Sequence, residues 1–267
     1  MFCVCRDSGG EERTDKMKIV TFNIRCDYNQ DEDNNFCFRK PLILEKLRQE
    51  EPDVICFQEV LPHVAGWLKE TLKEYYVIGC GRMEDLEGEQ VSIAYRKNRI
   101  NLIQMETYWL SETPYVPGSR YADQSICPRV CTEAVLEEYA TKQVFRVVNT
   151  HLDHEGPEAR EKGLLQIMDK LEKTLLFPEA PVIITGDMNA EPDSPEMAAV
   201  RKSPYKDMVE GVGITYHGYM RAEPPCCIDY ILAKGFVCES MEKWTEQKDG
   251  VFLSDHYPVC AVLRAEG

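Results

Sequence analysis

Short apolar runs alternate with amphipathic segments along the first half of the chain. Helix periodicity places Ile43, Leu44 and Leu47 on one face of a segment that stops at Pro52, and Pro62 opens a second helix. The predicted order is strand KIVTFNI, helix CFRKPLILEKLRQEEP, strand DVICFQEV, helix PHVAGWLKETLKEY, then strands YYVIGCG and VSIAYR.

The second half repeats this alternation after a long loop, SETPYVPGSRYADQSICPRV, whose Pro, Ser and Gly content is typical of irregular structure. A short helix is predicted from Ser194. The other elements are strands RVCTEAVLEE and KQVFRVVNTHL around the turn YATK, helix GPEAREKGLLQIMDKLEKTL, strand APVIITGD, and strands CIDYILAKG, FVCESMEKWT and YPVCAVLR.

Strands dominate, and helices are interspersed in both halves. Two sheets packed face to face with helices outside would bury this many apolar strands in one chain. We therefore predict an α+β fold: a four-layer α/β sandwich in which two mainly antiparallel β-sheets pack against each other. The 267 residues suit one large domain or two tightly fused halves.

Composition places the chain among ordinary globular proteins, since 43% of the residues are hydrophobic and 29% are charged. No apolar stretch approaches the roughly 20 residues that span a bilayer, and the first residues lack the pattern of a secretory signal. The twelve cysteines are scattered through apolar runs without zinc-site spacing, which indicates a reducing compartment. We expect a cytoplasmic, monomeric protein with no membrane partner.

The formal net charge is -15, and no basic stripe is visible. Proteins that bind long duplex nucleic acid rely on positive charge against phosphates. A metal ion can supply such charge locally, so nucleic acid is not excluded as a substrate. The acidic net charge therefore favours, as substrate, a small molecule or a single-stranded nucleic acid with a phosphoester bond.

Polar and ionisable residues interrupt the apolar pattern at six strand ends. Such groups are costly to bury unless they are paired or bind a metal, so six interruptions of the same kind predict one converging site. Turn preference alone accounts for an isolated copy but not for the whole set. The interruptions lie at Asn23, at Glu59, at His151, at Asp187 and Asn189, at Asp229, and at Asp255 and His256.

The residue types indicate the chemistry. Carboxylate and amide oxygens suit Mg²⁺ or Mn²⁺, which accept phosphate oxygens as further ligands. A zinc hydrolase of the His-Glu-x-x-His type would show clustered histidines, and no such motif is present. Histidine beside an acid can act as a general acid or as an imidazolium that binds phosphate. The expected reaction is hydrolysis of a phosphoester.

The segments TFNIR, QE, NTHLD, GDMN, IDYI and SDHYP, in that order, resemble the endonuclease/exonuclease/phosphatase superfamily, which includes type I deoxyribonuclease. The resemblance runs from Met17 to about Arg264. It implies one domain over residues 17–267, preceded by a flexible extension over residues 1–16. It also implies in-line attack by an activated water molecule, with a metal and histidines stabilising the phosphoryl oxygens.

The resemblance assigns roles to individual residues. Asn23, Glu59 and Asp255 match the family's metal-site positions, and Glu59 matches the principal Mg²⁺ ligand. Asp187 and Asn189 match the pair that orients or activates the attacking water.

The remaining catalytic positions are histidines and an acid. His256 matches a histidine that contacts the scissile phosphate, and Asp229 matches the carboxylate that orients it. His151 matches a histidine presented to the phosphate or leaving group. The apurinic endonucleases use a tyrosine there, so His151 favours other branches of the family.

Two further residues are candidates for substrate binding. Arg129 in the long loop has the fork geometry to hold a phosphate, and the alternative is a packing arginine. His217 is expected to line the pocket, and the alternative is a plain loop histidine. Asp153 and His154 are candidate supporting partners.

Other functions are weighed against this hypothesis. A catalytically inactive binding module on the same fold would have lost residues such as Glu59 or His256, and both are present. A serine hydrolase lacks its Gly-x-Ser-x-Gly elbow. The motifs leave nuclease and phosphatase open, because loops rather than motifs define the leaving group.

Overall fold

A computed structural model describes residues 16–266 of the chain. The predicted flexible extension lies outside the described residues except for Lys16, which begins the first strand. This strand therefore starts one residue before the predicted domain boundary at Met17.

The described residues form fourteen strands and four α-helices. The strands are β1 (Lys16–Asn23), β2 (Val54–Val60), β3 (Tyr75–Ile78), β4 (Gln90–Arg96), β5 (Ile100–Trp109), β6 (Val130–Glu138), β7 (Val144–His151), β8 (Val182–Asp187), β9 (Lys206–Asp207), β10 (Asp229–Lys234), β11 (Phe236–Lys243), β12 (Gln247–Lys248), β13 (Val251–Phe252) and β14 (Val259–Ala265). The helices are α1 (Phe36–Glu50), α2 (Pro62–Thr71), α3 (Pro157–Glu172) and α4 (Ala198–Arg201), with 3-10 turns at Glu32–Asn34, Pro195–Met197 and Gly218–Met220.

Twelve strands form two six-stranded sheets, and β12 and β13 form a separate ribbon. The first sheet has the order β11-β14-β1-β2-β4-β3 and the second β5-β6-β7-β8-β10-β9. Each sheet contains one parallel pair, β1 with β2 and β7 with β8, and all other pairs are antiparallel. The predicted sandwich of two mainly antiparallel sheets is confirmed.

Hydrophobic side chains form three packed layers. The central layer joins the inner faces of the two sheets and includes Ile19, Phe145 and Ile231, all with no exposed surface. Helices α1 and α2 cover the outer face of the first sheet, and α3 and α4 cover that of the second. Alternation along β1 explains this division, since Ile19 faces the central layer and Val20 faces the helices.

A buried amide pair ties the two sheets together near the ends of β2 and β7. Gln58 Nε2 donates to Asn149 Oδ1 at 2.7 Å. Asn149 Nδ2 donates in turn to the carbonyl oxygens of Phe57 and Ser92 at 2.8 and 2.9 Å. These hydrogen bonds fix the sheets at this end, although the Oε1 atom of Gln58 is buried and has no partner among residues 16–266.

Four strands were not predicted. Strand β5 was missed because most of its side chains are partly or fully exposed and it lacks a buried apolar run. Strands β9, β12 and β13 are only two residues long and carry no periodic pattern. Strand β8 runs through Gly186 to Asp187, as the predicted segment APVIITGD does. Gly186 has φ +149°, and a Cβ there would lie 2.1 Å from the Thr150 carbonyl oxygen, so close approach of β7 requires glycine.

None of the helices among residues 16–266 is both long enough and apolar enough to cross a membrane.

Candidate active site

Strands from both sheets end at one cavity. In the second sheet, Asp187 is paired in register with His151 on one side and with Asp229 on the other. Asn23 and Glu59 come from the ends of β1 and β2 in the first sheet. The residues at the predicted strand ends therefore meet, although they are separated by up to 233 positions between Asn23 and His256.

Glu59 lies in an irregularity of β2. The pairing with β4 shifts between Phe57 and Val60, and Glu59 has φ +61°, a conformation that is uncommon for a residue with a side chain. Its carboxylate accepts hydrogen bonds from Asn23 Nδ2 at 2.9 Å and from the Cys26 N–H at 2.8 Å. The bulge and these two donors aim the carboxylate into the cavity that Glu59 lines.

Asp187 lies at the centre of the site. Its Oδ2 atom is 3.1 Å from Asn23 Nδ2, 3.5 Å from His151 Nε2 and 3.7 Å from His256 Nε2. Its Oδ1 atom accepts the Asn189 N–H at 2.9 Å. Asn189 adopts φ +47°, and its side chain donates to the Leu152 carbonyl at 3.0 Å, which fixes the turn after β8.

His256 and Asp229 form a buried pair, with Nδ1 2.9 Å from the carboxylate oxygen. Burial acts to lower the pKa of His256, but the carboxylates of Asp229, Asp187 and Asp255 together outweigh it, Asp229 foremost, and raise the pKa to about 10. The imidazole is therefore charged at neutral pH. Burial, and then the Asp229 charge, raise the pKa of Asp187 to about 7.

His151 is held in the opposite protonation state. Burial, followed by the positive charge of Arg129, keeps the pKa of His151 well below its ordinary value, so the imidazole is neutral. Its Nδ1 atom has no hydrogen-bond partner among residues 16–266.

Asp255 lies on the wall nearest to Arg25. Its Oδ2 atom is 3.5 Å from an Arg25 guanidinium nitrogen, and its Oδ1 atom accepts the Ser254 hydroxyl at 3.1 Å. Burial raises the pKa of Asp255, although the charge of His256 opposes this.

The cavity has a volume of about 430 Å³. Seven of the ten predicted site residues line it: Glu59, Arg129, His151, Asp187, Asn189, Asp255 and His256. Asn23 and Asp229 lie directly behind it, because they hydrogen-bond to residues that line it.

The charges of the site fit a hard divalent cation. Four carboxylates, Glu59, Asp187, Asp229 and Asp255, lie together, and in the described part of the chain the charged groups within 4 Å of them are Arg25 and His256. Four negative and two positive charges leave an excess of two negative charges. Burial is the main cause of the raised pKa values of Asp187 and Asp255, and the neighbouring carboxylate charges raise both pKa values further.

Two pairs of carboxylates are available to such a cation. Glu59 and Asp255 belong to the predicted metal site and both line the cavity. Asp187 and Asp229 form a second group with His256, in which the polar atoms all lie within 4.8 Å of one another, but the protonated His256 is a partner for these carboxylates and not a metal ligand. Asn23 differs from the prediction of an oxygen ligand, since its Oδ1 atom accepts the Arg25 N–H at 3.0 Å and its nitrogen faces the carboxylates.

Arg129 reaches the cavity from the end of the long loop, where its side chain is 5% exposed. Its Nε atom is 3.3 Å from Asp153, and an Nη atom is 2.8 Å from His154 Nδ1. Asp153 also accepts the Ser125 hydroxyl and three backbone N–H groups. The two residues suggested as supporting partners therefore position Arg129.

His217 is not among the residues that line the cavity. Its ring stacks on Tyr257 with 4.1 Å between centroids, and its Nδ1 atom accepts the Met220 N–H at 3.3 Å. The neighbouring Tyr216 lines the cavity instead and packs against His256. The structure thus brings the segment to the site through a different residue from the one predicted.

Three charged residues of the cavity were not predicted. Arg25 follows the TFNI motif directly and was overlooked within it. Arg82 and Glu89 lie near the two ends of RMEDLEGEQ, an acidic turn between two predicted strands that was given no role in the site. The sequence did contain one signal for this pair. An arginine and a glutamate at the two ends of a turn are close in space, so they can form an ion pair.

Comparison with known proteins agrees with this geometry. The sequence profile of the Endonuclease/Exonuclease/phosphatase family matches residues 20–256. A structure of an endonuclease/exonuclease/phosphatase from Bacteroides vulgatus is similar, with a TM-score of 0.88 and 33% identity over 94% of this chain and 99% of that one.

Two other proteins are similar to this chain, one with a named activity and one that is uncharacterized. The mannosyl-6-phosphatase of Bacteroides thetaiotaomicron has a TM-score of 0.84 and 26% identity over 92% of this chain and 99% of that one. An uncharacterized protein of Acanthamoeba polyphaga mimivirus is 28% identical over 160 residues, which are 57% of this chain. That alignment spans only 59% of the viral protein.

Proposed function

The chain belongs to the endonuclease/exonuclease/phosphatase family, and on this premise we propose that it is a Mg²⁺- or Mn²⁺-dependent hydrolase that cleaves a phosphoester bond in a small phosphorylated molecule. The observation that carries the proposal is the convergence of Glu59, Asp187 and His256 on one cavity from two sheets. A turn-capping role would not require these side chains to share a cavity.

The metal would be held by Glu59 and Asp255, whose carboxylates line the cavity in a region of excess negative charge. A bound divalent cation would supply Lewis-acid stabilisation of the phosphoryl oxygens. Asn23 supports this arrangement by donating to both Glu59 and Asp187, which holds the two carboxylates at a fixed separation.

Asp187 and His256 have different roles in the proposed reaction. Asp187, with a pKa of about 7, is suited to accept a proton from the attacking water near neutral pH. His256 stays protonated through Asp229 and donates from Nε2 to a phosphoryl oxygen. The water oxygen forms its bond to phosphorus as the bond from phosphorus to the leaving oxygen breaks.

Asn189 and His151 position the groups that react. Asn189 orients Asp187 through its backbone N–H, and its conformation is fixed by the Leu152 carbonyl. The neutral His151 contacts Asp187 on the other side and can donate or accept a hydrogen bond without adding charge.

A small substrate fits the cavity and the charge of the protein. A cavity of about 430 Å³ is in the size range of small-molecule sites. The net charge of -15 disfavours a polyanionic strand. The similar protein named mannosyl-6-phosphatase supports a phosphorylated sugar as the first substrate class to test.

The test is a substrate panel assayed with Mg²⁺ and with a chelator. It contains sugar phosphates, inositol phosphates, single-stranded RNA, single-stranded and abasic DNA, and a nitrophenyl diester. We expect hydrolysis of a sugar phosphate with Mg²⁺, none with chelator, and none by Asp187→Asn. Asp169→Asn on the exposed face of α3 is the matched control, because it makes the same chemical change outside the site.

Three outcomes would contradict the proposal. Full activity in chelator would rule out the metal dependence. Faster cleavage of nucleic acid than of any small substrate would make the protein a nuclease. Binding of phosphorylated ligands without turnover in any reaction would make it a catalytically inactive binding module.

A further inference from the structure

Arg82 forms part of the cavity wall together with Glu59, Arg129 and His151. It lies between β3 and β4, and its two terminal nitrogens pair with the two carboxylate oxygens of Glu89, each at 2.8 Å. Both side chains are only 12% exposed. This two-point pairing fixes the plane of the guanidinium group, since a single hydrogen bond would leave it free to rotate.

Arg129 lies on the same wall and is held with similar rigidity. Its contacts to Asp153 and His154 use two of the three guanidinium nitrogens. Both arginines line the cavity together with Glu59 and His151. The cavity wall therefore presents two fixed guanidinium groups beside the proposed catalytic residues.

Three polar atoms on this wall have no partner among residues 16–266. They are Arg82 Nε, Arg129 Nη1 and His151 Nδ1, and all three are buried. The two arginine nitrogens carry N–H groups, and a buried N–H without an acceptor is costly in a folded protein. Their concentration on one wall indicates a ligand rich in acceptor oxygens.

The cavity is closed behind the two arginines. The recess that they bound with Gln90 and Val91 has a volume of about 10 Å³, which is no more than one water molecule needs. At the other side, Asn189 and Tyr216 open into a second depression of about 320 Å³. A leaving group therefore has space on the Asn189 side.

We propose that Arg82 and Arg129 form a subsite for the terminal dianionic phosphate, so that the enzyme selects phosphomonoesters over phosphodiesters. This inference rests on the proposed function and narrows its substrate class. A monoester presents three unsubstituted oxygens and two charges to the guanidinium groups. A diester carries one charge and a second ester group, for which the closed wall has no space. Glu89 is a positioning residue that acts through Arg82.

The kinetic test compares p-nitrophenyl phosphate with methyl p-nitrophenyl phosphate, because the two differ by one methyl ester and share a leaving group. Arg82→Gln should lower kcat/KM for the monoester about 10- to 100-fold, mainly through KM, as expected for a lost charge-assisted hydrogen bond. The kcat/KM for the diester should fall less, so the ratio of monoester to diester kcat/KM should decrease. Arg264→Gln is the matched control, because Arg264 is a partly exposed arginine near the end of β14 that also pairs with a glutamate, Glu239.

A binding test uses inorganic phosphate and dimethyl phosphate in the presence of chelator, measured by titration calorimetry. The wild-type protein should bind phosphate about tenfold more tightly than Arg82→Gln does, and dimethyl phosphate should not distinguish them. Arg82→Lys keeps the positive charge but loses the planar guanidinium group that can form two parallel hydrogen bonds, so its affinity for phosphate should lie between those of Arg82→Gln and the wild type. It also provides a second variant if Arg82→Gln fails to fold.

The outcomes separate this inference from the proposed function. If the wild-type protein hydrolyses neither compound with Mg²⁺, the proposed function is wrong. If it hydrolyses them but Arg82→Gln and Arg82→Lys leave both the monoester-to-diester ratio and the phosphate affinity unchanged, the subsite is wrong. A wild-type preference for the diester would also overturn it.

Discussion

The pairing of His256 with Asp229 gives the most direct test of the site, through Asp229→Asn. The change keeps the shape of the side chain and removes the charge that lies 2.9 Å from His256 Nδ1. That charge is the largest of the contributions that raise the pKa of His256 to about 10 against the effect of burial. Without it, the pKa should fall towards its ordinary value of about 6.5.

The size of the effect depends on pH. At about pH 8, an imidazole with a pKa of 10 is ~99% protonated, whereas one with a pKa of about 6.5 is only ~3% protonated. The variant should therefore lose roughly 30-fold in kcat/KM at that pH from this cause alone. At about pH 6, roughly three quarters of the His256 population is protonated again, and most of the loss should disappear.

The same substitution also acts on Asp187, whose pKa of about 7 is raised by burial and then by the Asp229 charge. A general base must be deprotonated, so activity rises with pH through its pKa. A general acid or cation must be protonated, so activity falls with pH above its pKa. Removing Asp229 lowers both pKa values and should shift both limbs of the profile to lower pH.

The measurement is kcat/KM between about pH 5.5 and pH 9.5 for the wild-type protein, Asp229→Asn and the surface control Asp169→Asn. A variant profile that is lowered equally at every pH would show that Asp229 acts only by maintaining structure. A profile that superimposes on that of the wild type would refute the assigned pair.

Four other changes test separate parts of the structure. Glu59→Gln should raise the Mg²⁺ concentration needed for half-maximal activity at least tenfold, measured by metal titration, and an unchanged requirement would remove Glu59 from the metal site. His256→Ala should lower kcat by roughly 10² to 10⁴, and near wild-type turnover would refute its role. Gly186→Ala should destabilise the fold by at least ~2 kcal/mol in denaturant unfolding, because its Cβ meets the Thr150 carbonyl oxygen, and a stable variant would disprove that contact. Burial lowers the pKa of His217 to about 4, so the stabilisation from its neutral form is present above about pH 6.5 and lost as the pH falls towards 4. His217→Gln should therefore lose less thermal stability than the wild type between pH ~7.5 and pH ~5, and equal losses would contradict this pKa shift.

Much of the site could be predicted because its residues break an otherwise apolar pattern. Glu59 and Asp187 stand where buried strands stop, and His256 stands just before β14 begins; an ionisable residue beside a buried apolar run is conspicuous in the sequence. The alternation of strands and helices likewise predicted the two sheets and their covering helices.

The remainder depends on orientation, which sequence pattern does not specify. Asn23 has an oxygen and a nitrogen of similar size, and only the positions of Arg25 and Glu59 show that the nitrogen faces the carboxylates. Tyr216 and His217 are adjacent, and the local backbone decides which of them lines the cavity.

The prediction also failed where polar composition concealed structure. Arg82 and Glu89 were hidden by an acidic turn, since nothing in its composition shows which charges pair across it. Strand β5 was missed for a related reason, because its exposed side chains do not form an apolar run.

The amide link between Gln58 and Asn149 joins the halves of the molecule that supply opposite sides of the site. Glu59 follows Gln58 on one sheet, and His151 lies two positions after Asn149 on the other. A shift of one sheet relative to the other at this hydrogen bond would therefore displace Glu59 relative to His151. Heat or mild denaturant that weakens the contact between the two sheets at Gln58 and Asn149 should therefore abolish the proposed activity while most of the secondary structure persists.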